Sequence, residues 1–541
     1  MSLVEELRRE GFECADDADT LRTFSRDAGI FVVEPEVVVR PRDAGEVGGL
    51  VRFATARSGS VWLTPRASGT DMGGGAVGSS IIIDTKAHLN TTVRVEGTSA
   101  TADVGVPWVD LERKLLERNV IMPSYPASRA LVAVGGMVGN NSGGEKSLKY
   151  GQTVDYVRSV RAVMADGNEY EFGELTQDEL NAKLVQQDFE GQLYRDIYWL
   201  IEDNRERIEK ARPDVSKNSS GYLLWKVWRD GRFSLARLLT GSQGTLGILT
   251  RVTFDVIPVK PHKALLVVFL RDIAKVADVV NVLLAHGPEE LESFDDRTIS
   301  FTLRFLPDFV RIMGAGNLVS LLFRFLPDVW MAIRHGAPKL VLLCEFTGDS
   351  REEVAEVVSR ADEDLKRYKI PTRRVTEEKD AEKYWTVRRE SFNVLRHHST
   401  KKRTVPFVDD FIVKPEFLPE FLPQLQAILE PHPMTLTIAG HAGNGNFHII
   451  PLMDMKRPDA RSIIEEVSTK VYDLVLRYGG SITAEHNDGL IRGPWVRKQF
   501  GDEVYELFRK VKGIFDPKGV FNPGKKIDVD WEWAMAHLRR D

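Results

Sequence analysis

PRASGTDMGGGAVG, residues 65–78, carries five glycines and runs straight into the apolar strand SSIIID (79–84). Before it the chain reads as strand, helix and strand: VVVRPRD from Val37, an Ala-rich amphipathic stretch from Ala44 to Ser58, then VWLTP ending at Pro65. This is a compact α+β opening, and the loop is its conspicuous feature. Consecutive N–H groups in a Gly-rich turn point one way and form a concave anion site, and small residues let a phosphate approach the main chain closely. Arg66 can add charge there, while Ser68, Thr70 and Asp71 can donate or orient hydrogen bonds.

Two further stretches share the character of the first. GGMVGNNSGG (135–144) precedes YGQTVDYVRSVRAVMADGNEYEF, in which Asp166-Gly167 marks a hairpin between strand-like runs. GSQGTLGILTRVTFDVIP (241–258) again joins glycines to an alternating strand. None of the three is a nicotinamide fingerprint, because no G-x-G-x-x-G opens a helix with an acidic residue about twenty positions on. Nor is any a P-loop, since no Gly-Lys-Ser/Thr follows.

PRASGT, YPASRALVAVGGMVGNNSGG, the Tyr150-Gly151 pair and GSQGTLGIL, in that order, resemble the FAD-binding domain of the vanillyl-alcohol oxidase superfamily over roughly residues 30 to 260. The resemblance implies an α+β fold: a two-subdomain FAD-binding domain of the p-cresol methylhydroxylase type, then an α+β substrate (cap) domain with an antiparallel sheet. It further implies that Arg66, Ala67, Ser68, Gly69, Thr70 and Asp71 line the FAD pyrophosphate, with Pro65 and Gly74 also binding the cofactor. Pro126, Gly135, Gly136, Asn141 and Gly143 would flank the flavin and ribityl side and Ile248 the adenine side, with Tyr150, Gly151, Gly247, Glu485 and Asn522 also binding the cofactor. Several superfamily members attach the flavin through a histidine or cysteine in these loops. Neither residue occurs in 65–78 or 126–151, so non-covalent FAD is expected.

Ligand-type side chains gather in three later segments: HAGNGNFH (441–448), AEHNDG (484–489) and WTVRRE (385–390). His441 and His448, seven apart around a Gly-Asn-Gly turn, cannot share a helix face, but a strand–turn–strand would bring both imidazoles to one side. With Glu485 they make two nitrogens and one carboxylate, a three-ligand set that leaves coordination positions open for a substrate. His486 follows Glu485 directly; in an extended segment its side chain would point the opposite way, which suits a base better than a fourth ligand. An imidazole with an ordinary pKa of about 6.5 is largely neutral at pH 7 and can accept a hydroxyl proton.

The same segments, with IFDPKGVFNPGK near the C-terminus, resemble the C-terminal domain of FAD-linked D-lactate, D-2-hydroxyglutarate and glycolate dehydrogenases. By that resemblance His441, His448 and Glu485 bind a divalent metal, zinc being the expected ion. His486 takes the substrate hydroxyl proton, and Arg388 pairs with the carboxylate of a 2-hydroxy acid. Asn444 stands where the family usually has Asp, and Asn487 where it usually has Gly. Val408 replaces a lysine that some relatives place before the acidic pair, here Asp409-Asp410, while Lys401, Lys402 and Arg403 lie upstream. The implied reaction is oxidation of a D-2-hydroxy acid to the 2-oxo acid. An oxidase using oxygen, or a flavin subunit of a larger redox complex such as glycolate oxidase, is the alternative.

Composition bounds the remaining choices. At 541 residues several packed domains are expected, and 43% hydrophobic with 28% charged residues and net charge −6 describes a globular chain without the basic excess that nucleic acid requires. The two cysteines, Cys14 and Cys344, are fewer than the four thiolates of an ordinary iron–sulfur cluster. Electrons must therefore leave to a separate acceptor: a quinone, a cytochrome, an electron-transfer flavoprotein or an iron–sulfur subunit. The opening MSLVEELRRE lacks a secretory pattern, which favours the cytoplasm. A homodimer, and contact with a membrane surface, are left open.

The expected organisation is a helical segment at 1–30, the FAD-binding domain at 31–260, a substrate domain at 261–510 with helices on one face of its sheet, and a tail at 511–541 returning to the first domain. An apolar helical insertion spans 298–338. The repeat RFLPD at Arg304 and again at Arg324 reads as two similar helix-ending turns.

Overall fold

In the computed structural model, which describes residues 1–305, 308, 336–397 and 402–540, the fragment preceding the first glycine-rich loop builds a four-stranded sheet. Val37–Val39 and Leu63–Arg66 flank Ile81–Asp84 in parallel, and Cys14–Ala15 closes one edge. The helix Ala44–Thr55 makes the crossover between Val37–Val39 and Leu63–Arg66. Asp43 starts it by accepting the Glu46 N–H, and Val47, Leu50, Val51 and Ala54 recur at helical spacing to bury one face. A parallel pair needs such a crossover, and the glycine-rich loop is the second connection of the same unit.

The second sheet of this half is antiparallel, in the order Val93–Glu96, Ser99–Asp103, Ile248–Asp255, Val157–Val163, Glu169–Gly173. The hairpin at Asp166-Gly167 forms between the last two, with Val163 opposite Glu169 and Gly167 at φ 79°. The third glycine-rich loop therefore feeds the central strand. The second stretch, read as a loop, is instead largely a short helix, Val134–Asn140, closed by Asn141 at φ 51°. Gly135 permits this: its N–H bonds the Val104 carbonyl at 2.7 Å, and an added Cβ would lie 2.8 Å from the Val104 Cβ.

Beyond residue 260 a seven-stranded antiparallel sheet runs Thr372–Val375, His262–Leu270, Leu340–Gly348, Glu290–Asp295, Ile438–His441, Asn446–Ile449, Phe411–Ile412. Helices cover both of its faces, not one. Leu266, Val268, Leu342 and Cys344 pack with Val354 and Val358 of the helix Arg351–Leu365. Leu265, Val267, Val341 and Leu343, on the opposite face, pack with Tyr384, Trp385 and Val387 of the helix Glu378–His397. An apolar run without alternation is what a strand buried on both faces looks like.

The tail returns to the first half. Leu63 N–H bonds the Val520 carbonyl at 2.8 Å, and Asn522 N–H bonds the Leu63 carbonyl at 2.8 Å. Most of the expected insertion, including the second RFLPD, lies outside the described residues, as does Lys401. No helix among the described residues is long and apolar enough to cross a membrane.

Candidate active site

The first glycine-rich loop, expected to meet a pyrophosphate, forms one wall of a cleft with Gly135, Gly136, Gly139, Asn140, Gln243 and Gly244. Two of its charged residues are already engaged by the protein. Asp71 accepts from the N–H groups of Gly73 (3.0 Å) and Gly75 (2.6 Å) and from Asn140 Nδ2 (2.8 Å), so it shapes the loop and ties it to the second stretch. The Arg66 guanidinium donates to the carbonyls of Phe24 (3.2 Å) and Ala76 (3.3 Å), and burial pushes its pKa down.

What remains for a ligand is backbone, small side chains and hydroxyls. Ser68 Oγ is buried without a hydrogen-bond partner. A Cβ on Gly139 would meet nothing within 4 Å, and one on Gly136 would meet only Val132 and Ala67, at 3.8 and 3.9 Å. An orphaned hydroxyl beside an open glycine wall suits a diphosphate.

Other residues expected here act from behind the cleft. Gly74 packs against Phe31 and Leu490, and Gly247 against Met164 and Val163. Ile248 is fully buried in its strand, while Leu249 and Gly244 reach the cleft. Asn522 donates to the carbonyls of Gly75 (2.9 Å) and Gln243 (2.8 Å), clamping the first and third loops together. Asn141 fastens its own stretch by accepting from Val154 N–H at 2.9 Å.

Gly143 joins the cleft to the C-terminal half, since a Cβ there would lie 3.2 Å from the Glu485 carboxyl carbon. The hairpin Ile438–His441/Asn446–Ile449 pairs Ala439 with His448 and His441 with Asn446, which puts both imidazoles on one face. Their ring centres are 5.0 Å apart. One ligand atom from each of His441, His448 and Glu485 falls within a common span of 4.8 Å.

Each histidine is oriented from its far nitrogen. His441 Nδ1 meets Glu292 at 2.5 Å and leaves Nε2 at 3.2 Å from Glu485 Oε1. His448 Nδ1 meets the Asp409 carbonyl at 3.1 Å. Carboxylate or carbonyl anchors of this kind fix the ring and its tautomer in metal sites. The donor set therefore fits a divalent cation. Burial, with His486 and His441 nearby, pushes His448 down to about 4, into the neutral form a metal requires. Burial alone would raise Glu485, but Lys217 and His441 hold it well below the ordinary carboxylate range.

His486 does not point away from this group. Its ring stacks on His448 with centres 5.0 Å apart, and Asp410, His448 and His486 form a second set of converging ligand atoms. The expectation of opposed side chains assumed an extended segment, whereas residues 483–486 curl around one carboxylate oxygen. Asp410 Oδ2 accepts the N–H groups of Ala484 (2.8 Å), Glu485 (2.8 Å) and His486 (3.0 Å) and the Thr483 hydroxyl (2.6 Å). His486 Nδ1 meets Asp409 at 2.6 Å, and Asp409 is held in turn by fully buried Arg492. Burial opposes the charged ring, but Asp409 and Asp410 outweigh it and lift His486 to about 9. The ordinary value assumed from sequence is thereby corrected.

Arg388 is also more constrained than expected. Its Nε and Nη2 both reach Glu292, at 2.8 and 2.7 Å, and its side chain is 9% exposed. Glu292 thus bridges Arg388 and His441, and its interactions with those two side chains overcome burial to hold it at about 2. Glu292, Arg492 and Lys217 escaped the sequence reading, and Asp409, noted there only as half of an acidic pair, was given no role. For Glu292 there was a signal, since Glu290 and Glu292 interrupt a strand buried at every position.

Comparison with known proteins agrees with this architecture. Residues 35–173 match the profile of the FAD binding domain, and residues 259–526 that of the FAD linked oxidases, C-terminal domain. A D-2-hydroxyglutarate dehydrogenase of Escherichia coli (strain K12) is 28% identical over 97% of this chain, which spans about half (51%) of that relative's length. A D-lactate dehydrogenase of Archaeoglobus fulgidus is 27% identical over 91% of both chains. Among solved structures, 4-ethylphenol oxidase from Gulosibacter chungangensis superposes with TM-score 0.67 at 14% identity, over 95% of this chain and 94% of that one, which shows a shared fold. With both profiles in sequence order, the FAD cleft in the first half and the antiparallel cap in the second, the chain belongs to the FAD-linked oxidase family.

Proposed function

We propose that the chain is an FAD-dependent dehydrogenase that oxidises a D-2-hydroxy acid to the 2-oxo acid with help from a divalent metal, and that its electrons leave to a separate acceptor. The observation that carries this reading is the convergence of His441, His448 and Glu485 beside Gly143, where the family's cleft meets the cap. Similarity to the D-2-hydroxyglutarate and D-lactate dehydrogenases supports the substrate class. Residues 31–260 would hold the FAD without a covalent bond, on the Ser68–Thr70 backbone and the glycine wall. His441, His448 and Glu485 would hold the metal, with zinc suited to a nitrogen and carboxylate set.

When bound, FAD supplies the two-electron acceptor for the Cα hydrogen, and the divalent ion supplies a Lewis acid for the substrate's hydroxyl and carboxylate oxygens. The protein's own share is orientation and proton handling. Asp409 holds His486 through Nδ1, so that Nε2 is the nitrogen available to take the hydroxyl proton. Arg388 commits Nε and Nη2 to Glu292 and keeps Nη1 for the substrate carboxylate. The Asp410 cradle fixes Glu485 and His486 relative to each other, supplying the alignment on which proximity effects depend. The two cysteines, both free, are fewer than the four thiolates an ordinary iron–sulfur cluster takes.

The test is anaerobic stopped-flow reduction of the flavin by D- and L-lactate, D-2-hydroxyglutarate, glycolate and longer 2-hydroxy acids, with turnover followed by a dye acceptor. Reduction by D-hydroxy acids and not by their L-enantiomers is the expected result. A flavin that no 2-hydroxy acid reduces would sink the proposal.

A further inference from the structure

Lys217 has no part in the chemistry above. It lies between the helix Arg205–Ala211 and the third glycine-rich loop, in the FAD-binding half, yet its ammonium is buried at 0% side-chain exposure against the other half. Nζ donates to Glu485 Oε1 and, at 2.9 Å, to Asn446 Oδ1. That same Oε1 stands 3.2 Å from His441 Nε2, and Asn446 is the residue paired with His441 across the hairpin.

A lysine gives up its hydration only where a carboxylate compensates, and breaking such a buried pair leaves an uncompensated charge. The cluster holds three such pairs, Arg388 with Glu292, Arg492 with Asp409 and Lys217 with Glu485. Glu485 is thus already neutralised by Lys217 before any ion arrives. A divalent cation bound by His441, His448 and Glu485 meets a carboxylate that already serves a cation, and two cations at short range repel.

We propose that Lys217 is an internal counter-cation for Glu485: it holds the carboxylate in place when no metal is bound, and an entering metal must share Glu485 with it. Lys217 therefore weakens metal binding and frees the fold from depending on it. The inference rests on the reading of His441, His448 and Glu485 as metal ligands.

The experiment uses full-length, FAD-loaded protein stripped with a chelator and titrated with Zn2+ alone, then Mn2+ alone, against a chromophoric competitor. Thermal unfolding is followed with and without each ion. Lys217→Met should bind at least about tenfold more tightly than wild type, the scale of one close charge pair. It should also unfold at a lower temperature when stripped and gain more on metal addition. Lys217→Arg should resemble wild type. Equal affinity and equal thermal gain in wild type and Lys217→Met overturn the proposal, as does weaker binding, which would make Lys217 a builder of the site.

Wild type that takes up neither ion overturns the ligand reading itself, and the Lys217 role with it. If Lys217→Met is insoluble, Lys217→Met/Glu485→Gln decides. Recovery of a folded flavoprotein supports the counter-charge role, and continued insolubility overturns it.

Discussion

The FAD cleft and the charged cluster behind Gly143 meet in space but are built by opposite means. The cleft is a backbone structure: glycines, small side chains and one orphaned hydroxyl, with Asp71 and Arg66 turned inward to shape the loop. The cluster is a side-chain structure, in which every imidazole is held by a carboxylate or carbonyl from a distant segment. Backbone sites fail when bulk or charge enters them. Side-chain sites fail when a partner is removed.

The largest effect expected from this contrast is loss of FAD. Gly139→Glu projects a carboxylate from a helical position with open space around its Cβ, so the protein should fold yet purify colourless, as judged by absorbance near 450 nm (roughly the flavin maximum) and by circular dichroism. Gly69→Asp should do the same for an added reason, since Gly69 sits at φ 65° and a Cβ would fall 2.3 Å from Arg66 Nη2. Full flavin occupancy in both variants would place the cofactor elsewhere.

Next comes the base. His486→Asn leaves the three proposed ligands and the cleft intact, so metal and FAD should stay while anaerobic flavin reduction slows by about 100-fold to 10,000-fold, the usual worth of a positioned base. His441→Ala should fail differently, losing metal by elemental analysis but remaining yellow. A wild-type reduction rate in His486→Asn would remove its role.

Glu292→Gln separates anchoring from ligation. The carboxamide is isosteric but uncharged, so His441 and Arg388 both lose their counter-charge, and metal affinity should fall by roughly 10- to 100-fold, the range for anchors of ligating histidines. Affinity unchanged in a chelator competition would make Glu292 a bystander.

The smallest effect is a displaced pH profile. Asp409 and Asp410 stabilise the charged His486 ring against burial, so the neutral, proton-accepting form gains population as pH rises toward about 9, and flavin reduction should rise with it. Asp409→Asn withdraws the largest of the raising influences, and the ascending limb should move to lower pH. A limb that stays put assigns it to another group.

Much of the cleft was legible because it is local. Arg66, Ser68, Gly69 and Thr70 are consecutive, and a turn that needs glycine at positive φ announces itself in one stretch. The hairpin that aligns His441 and His448 was legible for the same reason, because a Gly-Asn-Gly turn with flanking strands sets the side of each ring. The direction of His486 was not legible, since it depends on Asp410, a residue 76 positions away whose carboxylate draws residues 483–486 into a curl. Nor was the covering of both sheet faces, which depended on where the helix Glu378–His397 came to rest.

The sequence by itself determined the family, the order of the two halves and the ligand-type side chains, because glycine loops and short-range turns encode their own geometry. Only the tertiary structure decided the electrostatics: Arg388 tied to Glu292, His486 raised by Asp409, and Lys217 set against Glu485 from across the molecule. Coulomb interactions depend on distance through space and on exclusion of water. A lysine 268 residues from its carboxylate carries no mark of that pairing until the chain folds and dries the space between them.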